Sequence, residues 1–155
     1  EAKKNALENQ ELNKILAVDP KFNITDFLTG SKNFFEMVLN SFVSGNLDKI
    51  KDFTKPSVLK SFKVAIEERN KENETLIIDL KSIKENKIVK STVTKSSIKL
   101  NVKYVSLQIR ALMDKHEQII DGDDNKEIIV NDEWVFERKI DDQNPNWTLI
   151  ETKSY

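Results

Sequence analysis

From Val130 to Ile140 the chain alternates with a period of two. Val130, Asp132, Trp134, Phe136, Arg138 and Ile140 share one face; Asn131, Glu133, Val135, Glu137 and Lys139 share the other. Successive side chains of a β-strand point to opposite sides, so this segment reads as a strand with one packed and one wet face. The packed face carries an acid and an arginine among aromatic and aliphatic neighbours, where charge is rarely found unless it is paired. Side chains six residues apart on one strand lie about 20 Å from each other. Asp132 and Arg138 therefore do not pair directly unless the strand bends sharply. Two readings stand. In the structural one each meets neighbours' charges, helix ends or rim carbonyls and fixes the register. In the functional one Arg138 sits in a cavity and holds an anionic group.

Helical patterns precede the strands. Residues 4–18 show a thin apolar stripe (Leu7, Leu12, Ile15, Leu16) ended by Asp19-Pro20, so this helix either lies along the domain or projects from it. The second helix opens with Asn23 as N-cap and Asp26 in its first turn. Phe22 and Phe27 have the spacing of a hydrophobic staple, and Gly45 suits the C-cap. Phe27, Ser31, Phe34, Phe35, Val38 and Phe42 follow helical spacing between these ends. A short turn at Leu47–Phe53 leads to a third helix that begins near Pro56 and runs to Arg69.

The strands start at Thr75. Glu85-Asn86 reads as a turn or bend before Ile88–Val93. Ile98, Leu100, Val102 and Tyr104 share one face, and then the apolar phase slips to Val105, Leu107, Ile109 and Ala111. Such a slip predicts a β-bulge near Tyr104–Val105. Asp121-Gly122-Asp123-Asp124 reads as the hairpin turn into the strand ending at Ile140, and Asn144-Pro145-Asn146-Trp147-Thr148-Leu149 as a turn feeding a short last strand. Helices followed by a meander of bent antiparallel strands predict an α+β fold, a curved sheet wrapped round a long helix with an apolar interior.

The chain's 155 residues suit one domain. A net charge of −1 offers no bulk attraction for nucleic acid. Without cysteine there are no disulfides and no thiolate metal sites. The only histidine, His116, lies in a polar stretch and reads as a solvated loop residue, so no zinc site is expected. Acids around Gly122 lack the spacing of a calcium loop, and neither a glycine-rich phosphate loop nor a Gly-x-Ser-x-Gly elbow is present. No apolar run reaches the roughly 18 residues of a membrane span. The start at Glu1 rather than Met is read as loss of an upstream segment, which could have held a signal or anchor.

Residues Leu16-Ala17-Val18-Asp19-Pro20-Lys21-Phe22-Asn23, Asp26-Phe27-Leu28, Gly30, Phe35, Phe42, Gly45-Asn46-Leu47, Val58 to Phe62, Ile66 and Arg69 carry a family resemblance. Asp132-Glu133-Trp134-Val135-Phe136-Glu137-Arg138 and Pro145-Asn146-Trp147-Thr148-Leu149 complete it. Over residues 12–152 the chain resembles the C-terminal domain of the TIM-forty-four-like family, which includes the mitochondrial inner-membrane translocase subunit that anchors the import motor, and bacterial homologues.

The resemblance implies a cone-shaped fold of the nuclear-transport-factor-two-like (cystatin-like) type, a large apolar pocket, acidic phospholipid at a membrane, and a role in protein translocation or membrane-protein assembly. It also implies an N-terminal anchor in bacterial relatives. It divides the chain into a linker helix, residues 1–20, and a domain, residues 21–155. The match to the bacterial pattern favours the cytoplasmic side of a bacterial inner membrane; a eukaryotic source would place the domain on the matrix side of the mitochondrial inner membrane. Phe35, Phe62, Tyr104, Trp134 and Phe136 are the expected pocket lining. Lys3, Lys4, Leu7, Leu12, Lys14, Ile15 and Leu16 are the expected membrane contacts, with weak binding to anionic phospholipid. Protein partners of a translocation complex are expected; a cofactor, a metal and nucleic acid are not, and self-association stays open. The leading expectation is a non-enzymatic scaffold. The alternative is a small-ligand-binding or proton-transfer enzyme using the same cavity, which fold alone does not exclude.

Overall fold

The computed structural model describes the backbone of residues 2–140 and 144–155, and side chains from residue 6 onward. Three helices, α1 (Ala2–Val18), α2 (Ile24–Ser44) and α3 (Pro56–Lys71), precede four strands, β1 (Thr75–Val93), β2 (Ser97–Met113), β3 (Ile119–Lys139) and β4 (Thr148–Ser154). The strands form one antiparallel sheet in the order β1-β2-β3-β4. Helices packed on one face of an open sheet make this an α+β fold, consistent with the cone-shaped nuclear-transport-factor-two-like type.

Local chemistry sets the helix ends. Asn23 Oδ1 accepts a hydrogen bond from the Asp26 N–H at 3.0 Å, and the Phe22 and Phe27 rings meet at 5.7 Å. Gly45 closes α2 at φ +82°, a conformation that suits glycine, and its N–H reaches Ser41 O at 2.9 Å. Pro56 opens α3. At the far end of α3 the buried Arg69 donates to the Phe42 and Val43 carbonyls, 2.8 and 3.2 Å away. It thereby satisfies carbonyls that the last turn of α2 leaves open.

The even-numbered face of β2 meets the helices. Phe35, Val38, Val58 and Ile66 pack with Val102, Tyr104, Trp134 and Phe136 in one cluster, and Ile15 joins Ile88, Ile98 and Leu100 in another. The expected inward set of Ile98, Leu100, Val102, Trp134 and Phe136 is therefore inside. Helix α1 lies along the sheet rather than projecting from it. Its buried Glu11 accepts hydrogen bonds from the Ser91 N–H at 2.7 Å and Ser91 Oγ at 2.6 Å on β1.

Three sequence expectations are overturned. Glu85-Asn86 is not a turn: β1 runs unbroken, with register shifts at Leu80/Ser82, Ile83/Glu85 and Ile88/Lys90. Both polar residues find partners, Asn86 Nδ2 at the Leu28 carbonyl of α2 (3.0 Å) and Glu85 at Lys87 of the same strand (2.6 Å). Strand β2 has no bulge at Tyr104–Val105 either. Each β2 residue from Ile98 to Met113 has a β1 partner and the extra residues of the register shifts lie on β1, one of them opposite Val105–Ser106; the buried face of β2 continues through Ser106 and Gln108, whose Nε2 donates to Ser106 Oγ at 2.8 Å. Finally, the β2–β3 reversal falls at Asp114–Gln118, where the Asp114 carboxylate accepts from the His116 and Gln118 N–H groups at 2.8 and 3.0 Å. Residues Asp121 to Asp123 pair with β2, and Gly122, at φ +77°, lies so close to Arg110 O that a Cβ would meet it at 2.3 Å. The glycine marks a close backbone approach inside an irregular strand.

Candidate functional site

Adjacent aromatics on a helix point about 100° apart, and α2 uses this at Phe34 and Phe35. Phe35 is sealed in the core, its ring stacked on Tyr104 at 4.3 Å and tilted against Trp134 at 4.8 Å. Phe34 turns the other way, toward Phe53 (6.4 Å) and Phe136 (6.1 Å). There a groove of about 310 Å³ opens between α2, the segment around Phe53 and the Pro145–Trp147 segment. Phe27, Phe34, Met37, Phe53, Phe136 and Trp147 form its walls, with Asp26 and Lys49 also on its lining. Phe53 is held in place because the neighbouring Lys55 N–H donates to Leu149 O of β4 at 2.8 Å.

Trp147 is fixed from two sides. Its ring meets Phe27 edge-on at 5.1 Å, and the Arg138 guanidinium stacks over it at 5.2 Å. Arg138 in turn donates to the Asp19 carboxylate, just past the end of α1. The inward arginine thus has a carboxylate partner at the rim, and the pair joins α1, β3 and the aromatic wall. Gly30 also lines the groove, and a Cβ placed there would meet nothing within 4 Å. Glycine inside a helix costs about 0.5–1 kcal/mol relative to alanine; at this position it leaves the groove deeper.

Among the five aromatics expected to line a pocket, Phe136 reaches the groove. Phe35, Tyr104 and Trp134 fill the core, and Phe62 packs on Phe42 at 5.8 Å. Asp132, at the other end of the packed face from Arg138, accepts a hydrogen bond from Ser154 Oγ on β4. Burial raises the Asp132 carboxyl above its usual range, against the opposing pull of Ser154 and Arg110. Burial likewise pushes the Tyr104 phenol far above its ordinary value, and its hydroxyl donates to Ser31 O at 3.0 Å. Neither group lies on the groove.

Of the expected membrane residues, Leu7 is 60% exposed, Leu12 and Leu16 are half-buried, and Lys14 pairs with Glu11 at 3.2 Å. Ile15 is fully enclosed between α1 and the sheet and belongs to the core. The side chains of Lys3 and Lys4 lie outside the described residues. His116 sits in the exposed β2–β3 turn. Among the described residues no group of three or more His, Asp or Glu side chains is placed to hold a metal, and no helix is long and apolar enough to cross a membrane.

Groove residues that sequence reasoning passed over as site residues are Phe27, Gly30, Phe34, Met37, Lys49 and Phe53. The Phe34-Phe35 pair was the one local signal, since two successive aromatics on a one-sided helix cannot both face the core.

Three helices packed on one face of a four-stranded antiparallel sheet make an α+β fold consistent with the nuclear-transport-factor-two-like class. The family model of the Tim44-like domain matches residues 8–154, essentially the whole chain, and the chain belongs to that family. Membership makes it a translocation-related binding domain associated with a membrane, on the matrix or cytoplasmic side. No curated protein sequence matches it.

Proposed function

We propose that the domain is a non-enzymatic binding module of a membrane-associated translocation or assembly complex, and that its groove receives the acyl chain of a membrane phospholipid. One observation carries this reading: six apolar side chains, five of them in edge-to-face ring contacts, wall a groove that Gly30 keeps open. Its volume is at the lower end of ligand sites, enough for part of a single chain. Lys49 supplies a positive charge for a phosphate headgroup, and among the described residues Asp26 and Lys49 are the ionisable ones on the lining. The exposed Leu7 on α1 adds a weak second contact with the bilayer, while the rest of the α1 stripe is committed to the domain. The test is calorimetric binding of a single-chain anionic amphiphile, below its micellar concentration, to wild type and to Gly30→Phe. The variant projects a ring toward the groove from a position where a Cβ meets nothing within 4 Å. Binding by wild type and its loss in a normally folded Gly30→Phe is the expected result; equal binding by both overturns the assignment.

A further inference from the structure

Along α2, Asn33, Glu36, Asn40 and Ser44 recur at intervals of three and four residues and so share one exposed face. With the turn at Asn46–Lys49 this face bounds a second groove of about 540 Å³, whose lining apart from Met37 is polar. The second groove shares Met37 and Lys49 with the apolar one, so the two meet along a common wall. Two of its polar groups are already committed. Ser44 Oγ accepts from the Asn46 N–H at 3.2 Å, and Asn46 Oδ1 accepts from the Asp48 N–H at 3.0 Å. Among the described residues none gives Asn33, Glu36, Asn40 or Lys49 a side-chain hydrogen bond or ion pair. The groove thus presents one carboxylate, one ammonium and two carboxamides, and no aromatic ring among the described residues of its lining.

We infer that this polar groove takes the headgroup of the amphiphile whose chain enters the apolar one, and that the headgroup is zwitterionic with a primary ammonium, of the phosphoethanolamine type. The inference rests on the acyl-chain reading and adds to it the class of headgroup. Order along the two grooves matches order along such a molecule. The apolar walls come first, then Lys49 on the shared wall, then Glu36 on the polar groove alone; the lipid runs from acyl chain to phosphate to ammonium. Lys49 meets the phosphate in a charge-assisted contact. A primary ammonium carries three N–H donors and no acceptor, and the Glu36 carboxylate with the amide oxygens of Asn33 and Asn40 supplies acceptors for them. Choline has no N–H to donate, and a quaternary ammonium is recognised by aromatic cages, which this lining does not offer. The lining carries one charge of each sign, so a zwitterion matches both, whereas a purely anionic headgroup leaves Glu36 without a counter-charge.

Calorimetric titration with three lysophospholipids of one acyl chain, bearing ethanolamine, choline or glycerol and kept below their micellar concentrations, tests the assignment. It is run on wild type, Glu36→Gln and Gly30→Phe. Glu36 is exposed on α2, so its substitution leaves the fold intact, as an unchanged melt will show. Wild type should bind the ethanolamine lipid about tenfold tighter than the choline lipid, the scale of one charge-assisted hydrogen bond. Glu36→Gln should erase most of that preference and leave binding of the glycerol lipid close to wild type. Equal affinity for the ethanolamine and choline lipids overturns the headgroup assignment, and so does a preference that Glu36→Gln does not reduce. Loss of all three lipids in Gly30→Phe would, in that case, leave the acyl-chain reading standing. Ethanolamine selectivity that depends on Glu36 but survives Gly30→Phe refutes the acyl-chain reading and keeps the headgroup site. A wild type that binds none of the three overturns both.

Discussion

Beside the packing of Ile15 and the Arg138–Asp19 pair, one buried carboxylate holds helix α1 to the sheet, and removing it measures how firmly the helix belongs to the domain. Glu11 accepts from the Ser91 N–H and Oγ at 2.7 and 2.6 Å and from Lys14 Nζ at 3.2 Å. Glu11→Ala strands the buried Ser91 amide and removes charge-assisted bonds, a loss of about 2–3 kcal/mol. For a chain of this size that lowers Tm by about 5–10 °C. Glu11→Gln keeps an acceptor oxygen and should cost about 1 kcal/mol. The carboxyl also predicts a pH dependence. Burial raises its pKa, but the bonds from Ser91 and Lys14 outweigh burial and hold it below its ordinary 4.5. A group with a lowered folded pKa contributes stability above its unfolded pKa and loses it as pH falls through the folded one. The gap between wild type and Glu11→Gln should therefore be full at pH 7 and close as pH falls below about 4.5. Urea unfolding followed by far-ultraviolet circular dichroism, from pH 3 to pH 7, reads all three proteins. Coincident wild-type and Glu11→Ala curves at pH 7 would refute the docking of α1 through Glu11.

Arg138→Ala leaves Asp19 without its partner and Trp147 without its stacked guanidinium. It should cost about 1–3 kcal/mol in urea unfolding and shift Trp147 emission toward that of a wetter indole. Asp132→Asn should melt higher than wild type at neutral pH. The folded state raises the Asp132 pKa, so its ionised form lowers stability as pH climbs through that raised value, and the advantage of Asn should vanish below about pH 4 in a melting series. Gly30→Ala has open space for its methyl group and should stabilise the domain by about 0.5–1 kcal/mol in the same assay.

Features written in neighbouring residues were legible before any coordinates. The Asn23 cap, the Phe22–Phe27 staple, Gly45 and Pro56 each act within a few residues, and each forms as expected. The alternation at Val130–Ile140 also set the right face inward, because a one-residue slip would have buried Glu133 and Glu137. What failed was inference from turn chemistry and from phase alone. Gly122 among acids looks like a turn, yet the chain reverses at Asp114, whose carboxylate gathers two amides, and a glycine serves equally where two backbones nearly touch. The apolar run Val105-Leu107-Ile109 looked like a bulge because apolar residues were expected inside; they stay outside, and two mutually bonded polar residues go in. The groove was the least legible part. Its walls come from Phe34, Phe53, Phe136 and Trp147, brought together by tertiary packing, and the partner of Arg138 lies 119 residues away. Periodicity shows that such an arginine needs a partner but not which one.

The claim that the Trp147 groove holds an acyl chain is tested most directly by the groove's own fluorophore. The chain has two tryptophans, Trp134 in the core and Trp147 on the groove wall. A bromine-labelled single-chain lipid, titrated below its micellar concentration, quenches an indole only by close approach. With Trp134→Phe leaving Trp147 as the sole emitter, the account predicts saturable quenching that disappears when Gly30→Phe is added. Quenching that never saturates, or that survives Gly30→Phe unchanged, would contradict it.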